Sequence, residues 1–133
     1  MITEDYIIEA LKTESIDMEA LKLRLSDEKT IRGLHSSLGL VTEASEFADV
    51  FKKHIFYGKE IDWINLEEEA GDLFWYLAIL ADVIGQKSFD SMFKKNVEKL
   101  AKRYKNQVFT EDSAINRNVS EERKILEKEH HGK

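Results

Sequence analysis

Residues Leu73-Phe74-Trp75-Tyr76-Leu77-Ala78-Ile79-Leu80-Ala81 form an unbroken run of apolar and aromatic side chains. A helix that is apolar on every side is buried on every side. The run is far shorter than the roughly twenty residues needed to cross a bilayer. It therefore belongs in a protein core or in a subunit interface. Asp72 stands at its head. A carboxylate against so much apolar surface needs a partner, since an unpaired charge is costly to desolvate. Either a cation supplies that partner, or Asp72 sits in a first helical turn and the run begins just after it.

Asp72 closes an ExxD pattern, Glu69-Ala70-Gly71-Asp72, and an earlier ExxE, Glu43-Ala44-Ser45-Glu46, mirrors it. Residues three apart share a helix face, so each pattern sets two carboxylates side by side. If the two helices pack together, four carboxylates converge, and such a group is not stable in a partly dry site without cations. All-oxygen ligation suits Mg²⁺, with Mn²⁺ as a substitute. Each pattern alone is weak, because 26 of the 133 residues are acidic and a solvated helix face looks the same. At roughly 100° per residue, Leu34, Leu38, Leu40, Val41, Ala44, Phe47, Ala48 and Phe51 fill one broad arc of the helix carrying the ExxE. Glu43 borders that arc and Glu46 lies further round. A core rim suits a metal that must admit substrate, and it also suits ordinary surface carboxylates.

The length predicts one domain with a real core. A net charge of −6 disfavours nucleic-acid binding, which wants a basic surface. It leaves room for a phosphorylated small molecule, because a bound divalent cation reverses the local field. The absence of cysteine rules out disulfides and thiolate metal sites and fits a cytoplasmic protein. Met1-Ile2-Thr3-Glu4-Asp5 lacks the pattern of a signal peptide, and no segment reads as a membrane span.

The chain has no proline and few glycines, and the expected class is all-α. Thr3 can cap a first short helix carrying Tyr6, Ile7, Ala10 and Leu11 on one side, and Asp17 a second from Met18 to Leu25. Asp27 or Thr30 starts a long helix that Gly58 ends. Asp62 caps the next, which runs to about Val83 and stops at Gly85. Ser88 caps a fourth major helix with a stripe of Phe89, Phe93, Val97, Leu100, Ala101 and Tyr104. Beyond Asn106 the pattern weakens. Residues 111–115 read as one helical turn, and a terminal helix can start at Ser120. The expected organisation is a single domain over 1–117, with 118–133 a charged tail or a marginal helix.

The fourth helix carries Asn96, Lys99 and Arg103 on one face beside its apolar stripe. An amide and two cations at a core rim suit phosphate oxygens, Arg through a forked contact and Lys as a point charge. Lysines and arginines also snorkel from helix edges without any ligand. Lys53 lies on the Glu46 side of its helix, where it either joins such a site or simply pairs with Asp49. His35 and His54 lack metal-ligand spacing, and His130-His131 reads as tail.

In order, the ExxE, the ExxD with its aromatic-rich helix, and Asn96-Val97-Glu98-Lys99-Leu100-Ala101-Lys102-Arg103-Tyr104 resemble the MazG-like branch of the all-α nucleoside-triphosphate pyrophosphatases. Gly39-Leu40-Val41-Thr42-Glu43 and Ala114-Ile115-Asn116-Arg117 fit the same pattern, and the resemblance covers about residues 31–117. Two departures stand out. Thr42 occupies a position where the family often has a further Glu, and Glu67-Glu68-Glu69 offers three candidates, of which Glu69 alone lies three before Asp72. The resemblance implies a four-helix-bundle-type fold completed by dimerisation, as a homodimer or a dimer of dimers. It implies a hydrolase that cuts a nucleoside triphosphate, ribo or deoxyribo, into the monophosphate and pyrophosphate by metal-assisted attack of water. Glu43, Glu46, Glu69 and Asp72 would hold Mg²⁺. Lys99 and Arg103 would hold phosphate, with Asn96 orienting it and Lys53 joining them.

Two rival readings keep the fold and change the function. One is phosphoribosyl-ATP pyrophosphohydrolase, from the same superfamily. The other is a non-catalytic nucleotide-binding bundle that acts as a regulator. A di-iron carboxylate bundle is disfavoured, because that class needs Glu-x-x-His on its helices and neither acidic pattern has the histidine.

Overall fold

A computed structural model of the chain describes residues 3–127; His130-His131 lie outside them. Among the described residues all regular structure is helical, as the absence of proline and of alternating strand patterns predicts. Contacts gather into two compact units that meet between Val83 and Ile84, and the two are described separately.

The first unit holds α1 (Thr3–Leu11), α2 (Met18–Leu25), α3 (Glu28–Tyr57) and α4 (Trp63–Val83). The starts follow from side chains that accept the otherwise unpaired N–H groups of a first turn. Asp17 accepts from the Ala20 N–H at 3.0 Å, and Asp62 accepts from the Asn65 N–H at 3.1 Å. Asp27, rather than Thr30, begins α3: its carboxylate accepts from both the N–H and the hydroxyl of Thr30, at 2.7 and 2.8 Å. Gly58 ends α3 at φ 65°, a left-handed conformation that only glycine adopts without strain. Thr3 lies inside α1 as its first described residue.

Helices α3 and α4 are the centre of this unit, and α2 packs on α3. They run antiparallel, because their contacts pair rising numbers on one with falling numbers on the other. Arg32 donates to Asp82 at 2.6 Å, the rings of His35 and Tyr76 lie 5.7 Å apart edge to face, and Glu43 meets Asp72. Val50, Leu66 and Ala81 are buried between the layers. Ser36, fully buried, returns its hydroxyl proton to the Gly33 carbonyl at 2.9 Å, which satisfies a group that would otherwise be costly to bury.

One expectation fails within the single chain. The apolar run of α4 is not covered on all sides: Phe74 remains 58% exposed and Trp75 55%. Helix α3 seals only the side that carries Tyr76 and Ala81, and the N-terminal helices do not cover the other. Their own Tyr6, Ile7 and Leu11 are exposed as well.

The second unit holds α5 (Asp90–Arg103), a 3₁₀ turn (Lys105–Gln107), α6 (Glu111–Ile115) and α7 (Val119–Glu127). Two starts move from their expected positions. Helix α5 begins at Asp90 with Phe89 at its cap, and the Ser88 hydroxyl accepts from the Asp90 N–H one step earlier. Helix α7 begins at Val119, because Asn118 accepts from the Glu121 N–H at 3.2 Å.

Helices α5 and α7 pack together. Glu122 of α7, only 4% exposed, accepts from Arg103 Nε at 2.8 Å and Nη2 at 2.7 Å, and from Arg117 Nη2 at 2.7 Å. Hydrogen bonds from Arg103 and then from Arg117 hold its carboxyl down at about 2. An acid with a depressed folded pKa stabilises the fold above its unfolded value and loses that contribution as pH falls through the folded one. Acidification from pH 5 towards pH 2 should therefore lower the melting temperature, followed by circular dichroism. Glu122→Gln should melt lower at pH 6 and respond less to the acid step. An identical acid response in the two proteins would show that Glu122 is not what the acid attacks.

Candidate metal centre and phosphate-binding helix

The antiparallel pairing of α3 with α4 brings one residue of the ExxE against both residues of the ExxD. Ligand oxygens of Glu43, Glu69 and Asp72 all lie within 4.8 Å of one another. Glu69 is 6% exposed; Glu43 is half-buried and Asp72 exposed. The trio thus runs from the helix–helix seam out to solvent.

Burial pushes the Glu43 carboxyl above its usual range, with the charges of Glu46 and Asp72 and a hydrogen bond with Glu69 adding to it. Thr42 opposes them. Its hydroxyl lies 3.3 Å from Glu43 Oε1 and 2.9 Å from the Gly39 carbonyl, the two acceptors that share its one proton. Glu69 is held by Asn65 Nδ2, one helical turn before it. Nothing in the sequence reading singled out Asn65, although its four-residue spacing from Glu69 is a readable signal.

Glu46 is exposed and stands outside the trio, although its charge is felt at Glu43. The sequence periodicity had ordered these two in the same way. Lys53 is bound to Asp49 at 2.6 Å, and Lys52 binds the same carboxylate. Hydrogen bonds from the two lysines hold Asp49 at about 2. The i,i+4 pair is therefore formed, and Lys53 lies at the edge of a cavity of about 240 Å³ with Glu60, Asp62 and Asn65.

Helix α5 carries the three remaining residues. Asn96 lines a cavity of about 480 Å³ with Met92, Lys95 and Leu126. Lys99 is half-buried. Arg103 is clamped by Glu122, as described above, and hydrogen bonding to that carboxylate raises its pKa further. Glu122 and Arg117 are functional candidates that the sequence reading did not identify as partners of Arg103.

The donor set fits a hard divalent cation. All three converging groups offer carboxylate oxygen, the ligand type Mg²⁺ and Mn²⁺ take. The cluster has no cationic side chain within ion-pair distance among the described residues, and like charges this close disfavour full ionisation unless a cation balances them.

The MazG nucleotide pyrophosphohydrolase domain model matches residues 34–109, more than half of the chain. That stretch includes the carboxylate trio, Glu46, Lys53 and all three α5 residues. No curated protein and no solved structure matches the chain. An all-helical fold, an ExxE set against an ExxD, and this match agree: the chain belongs to the MazG nucleotide pyrophosphohydrolase domain family.

Proposed function

We propose that the chain is a Mg²⁺-dependent pyrophosphohydrolase that converts a nucleoside triphosphate, ribo or deoxyribo, into the monophosphate and pyrophosphate. The convergence of Glu43, Glu69 and Asp72 within 4.8 Å carries this reading. These three would hold Mg²⁺, with Glu46 adding negative charge from the exposed side. A divalent cation there supplies charge neutralisation and lowers the pKa of water. The protein's own part is to fix the carboxylates. Asn65 orients Glu69, and the packed α3–α4 seam sets the spacing. Asn96, Lys99 and Arg103 are assigned to the phosphates, with Lys53 as a further cation; preorganised donors of this kind offset developing negative charge.

A homodimer or a dimer of dimers is part of the proposal. Phe74 and Trp75 stay more than half exposed next to the ExxD, and contiguous apolar surface of that sort marks an interface. A location among the nucleotide pools of the cytoplasm follows from the substrate.

The direct test is pyrophosphate release across ribo- and deoxyribonucleoside triphosphates and phosphoribosyl-ATP, with Mg²⁺ and with excess chelator. Release from a nucleoside triphosphate that chelator stops is the expected result. Release from phosphoribosyl-ATP alone selects the rival substrate, and no release from any of them removes the enzyme reading. A second expectation needs no substrate. Ligands that bind only the folded state raise its melting temperature, so saturating Mg²⁺ should raise it by several degrees. In Glu43→Gln the apo protein should melt higher, because a desolvated charge is gone, and Mg²⁺ should move it less. A wild-type melting temperature indifferent to Mg²⁺ and Mn²⁺ would count against the site.

A further inference from the structure

We propose that Glu122 is a positioning residue, which sets the guanidinium of Arg103, with Arg117 beside it, to receive a phosphate group of the nucleotide. The inference rests on the phosphate role proposed above for Arg103. Glu122 lies on α7, beyond both the residues matched by the family model, 34–109, and the stretch to Arg117 that carries the resemblance; Arg117 lies in the connection between α6 and α7.

The geometry is that of a clamp. Glu122 takes Nε and Nη2 of Arg103 in a two-pronged contact and Nη2 of Arg117 at the same oxygen. Nη1 of Arg103 is left outside the fork. The ring of Tyr104 lies 5.8 Å from the Arg103 Cζ. A free arginine side chain loses much rotamer freedom on gripping a ligand, and a side chain already fixed does not lose it again.

A cavity of about 190 Å³ opens beside the clamp, and Lys102, Lys105, Arg103 and Arg117 contribute to its wall. The acids in that wall are Glu122 and Asp112, and Asp112 accepts from Asn116 Nδ2 at 2.7 Å. Four cations therefore face two carboxylates with Glu122 in place. This balance decides between two readings of the same contact. If Glu122 occupied the only anion seat, a phosphate would have to displace a carboxylate that serves two guanidiniums and is almost wholly buried. The surplus positive charge in that wall favours an oxyanion seated beside Glu122 over one that displaces it. An oxyanion can enter beside Glu122 and meet donors that Glu122 holds still.

Inorganic pyrophosphate with Mg²⁺ is the probe, titrated calorimetrically into the full-length protein, with turnover measured in parallel. Glu122→Gln keeps the side chain's shape and loses its charge. The expected result is wild-type binding that weakens at least tenfold in Glu122→Gln, with a matching rise in KM and little change in kcat. Equal affinity in the two proteins, whatever the melting temperature, would make the clamp purely structural and overturn the proposal. Tighter binding by Glu122→Gln would make Glu122 a competitor and overturn it too, as would no pyrophosphate binding by the wild type. If Glu122→Gln does not fold, Glu122→Asp keeps the charge and retracts the fork by one methylene. It should bind at least threefold more weakly, and unchanged affinity there overturns the proposal. Wild-type protein that binds pyrophosphate but hydrolyses no nucleotide would remove the proposed activity while these comparisons still decide the role of Glu122.

Discussion

Asp72→Asn should end pyrophosphate release and leave the helices intact. Asp72 is exposed on α4 and makes no hydrogen bond among the described residues, so the change breaks no internal contact. What it removes is one of three converging carboxylates. An amide oxygen is a weaker ligand for a hard cation and brings no charge. Loss of outer-shell support around a metal already costs about 10–100-fold in affinity or activity. Loss of a ligand itself should cost roughly a hundredfold or more. The apo protein should melt slightly higher, because Asp72 adds to the repulsion that raises Glu43, and Mg²⁺ should stabilise it less than it does the wild type. Glu69→Gln should be as inactive but less stable, since Glu69 is buried and held by Asn65. Turnover of Asp72→Asn within threefold of wild type would remove Asp72 from the chemistry.

Much of this site could be read from local spacing. Three-residue intervals placed Glu43, Glu69 and Asp72 on helix faces, and the antiparallel seam brought those faces together. Periodicity also ranked Glu43 nearer the core than Glu46, as the half-buried and exposed carboxylates show. Caps were legible where a single acid precedes a helix, as at Asp17, Asp27 and Asp62. They slipped by one residue at Ser88 and by two at Ser120, where Phe89 and Asn118 take the position. Glu122 was not legible as the partner of Arg103, because the two are joined across a turn and a short helix with no periodic link between them. The apolar run after Asp72 told what α4 needs without telling what supplies it. One chain covers the Tyr76 side and leaves Phe74 and Trp75 exposed.

Gly39 shows where propensity and packing give opposite answers. It lies within α3, and glycine inside a helix costs roughly 0.5–1 kcal/mol relative to alanine. From the sequence alone, Gly39→Ala should stabilise. In the structure Gly39 is buried, and a Cβ added there would lie only 2.0–2.3 Å from three ring carbons of Tyr76. Moving that ring would also disturb its edge-to-face contacts with His35 and Trp75, at 5.7 and 4.8 Å. Overpacking of this kind typically costs about 1–3 kcal/mol, more than the propensity gain. Gly39→Ala should therefore lower the melting temperature by several degrees. Activity should fall with it: Glu43 lies one turn beyond Gly39 on α3, and Asp72 one turn before Tyr76 on α4, so a seam forced apart at this point separates the carboxylates. Gly33→Ala is the matched control in the same helix. A Cβ there would meet Val83 Cγ1 at 3.9 Å, an ordinary contact, so this variant should keep the propensity gain of about 0.5–1 kcal/mol. Equal melting temperatures for the two alanine variants would show that the α3–α4 seam does not depend on the close approach of Tyr76 to Gly39.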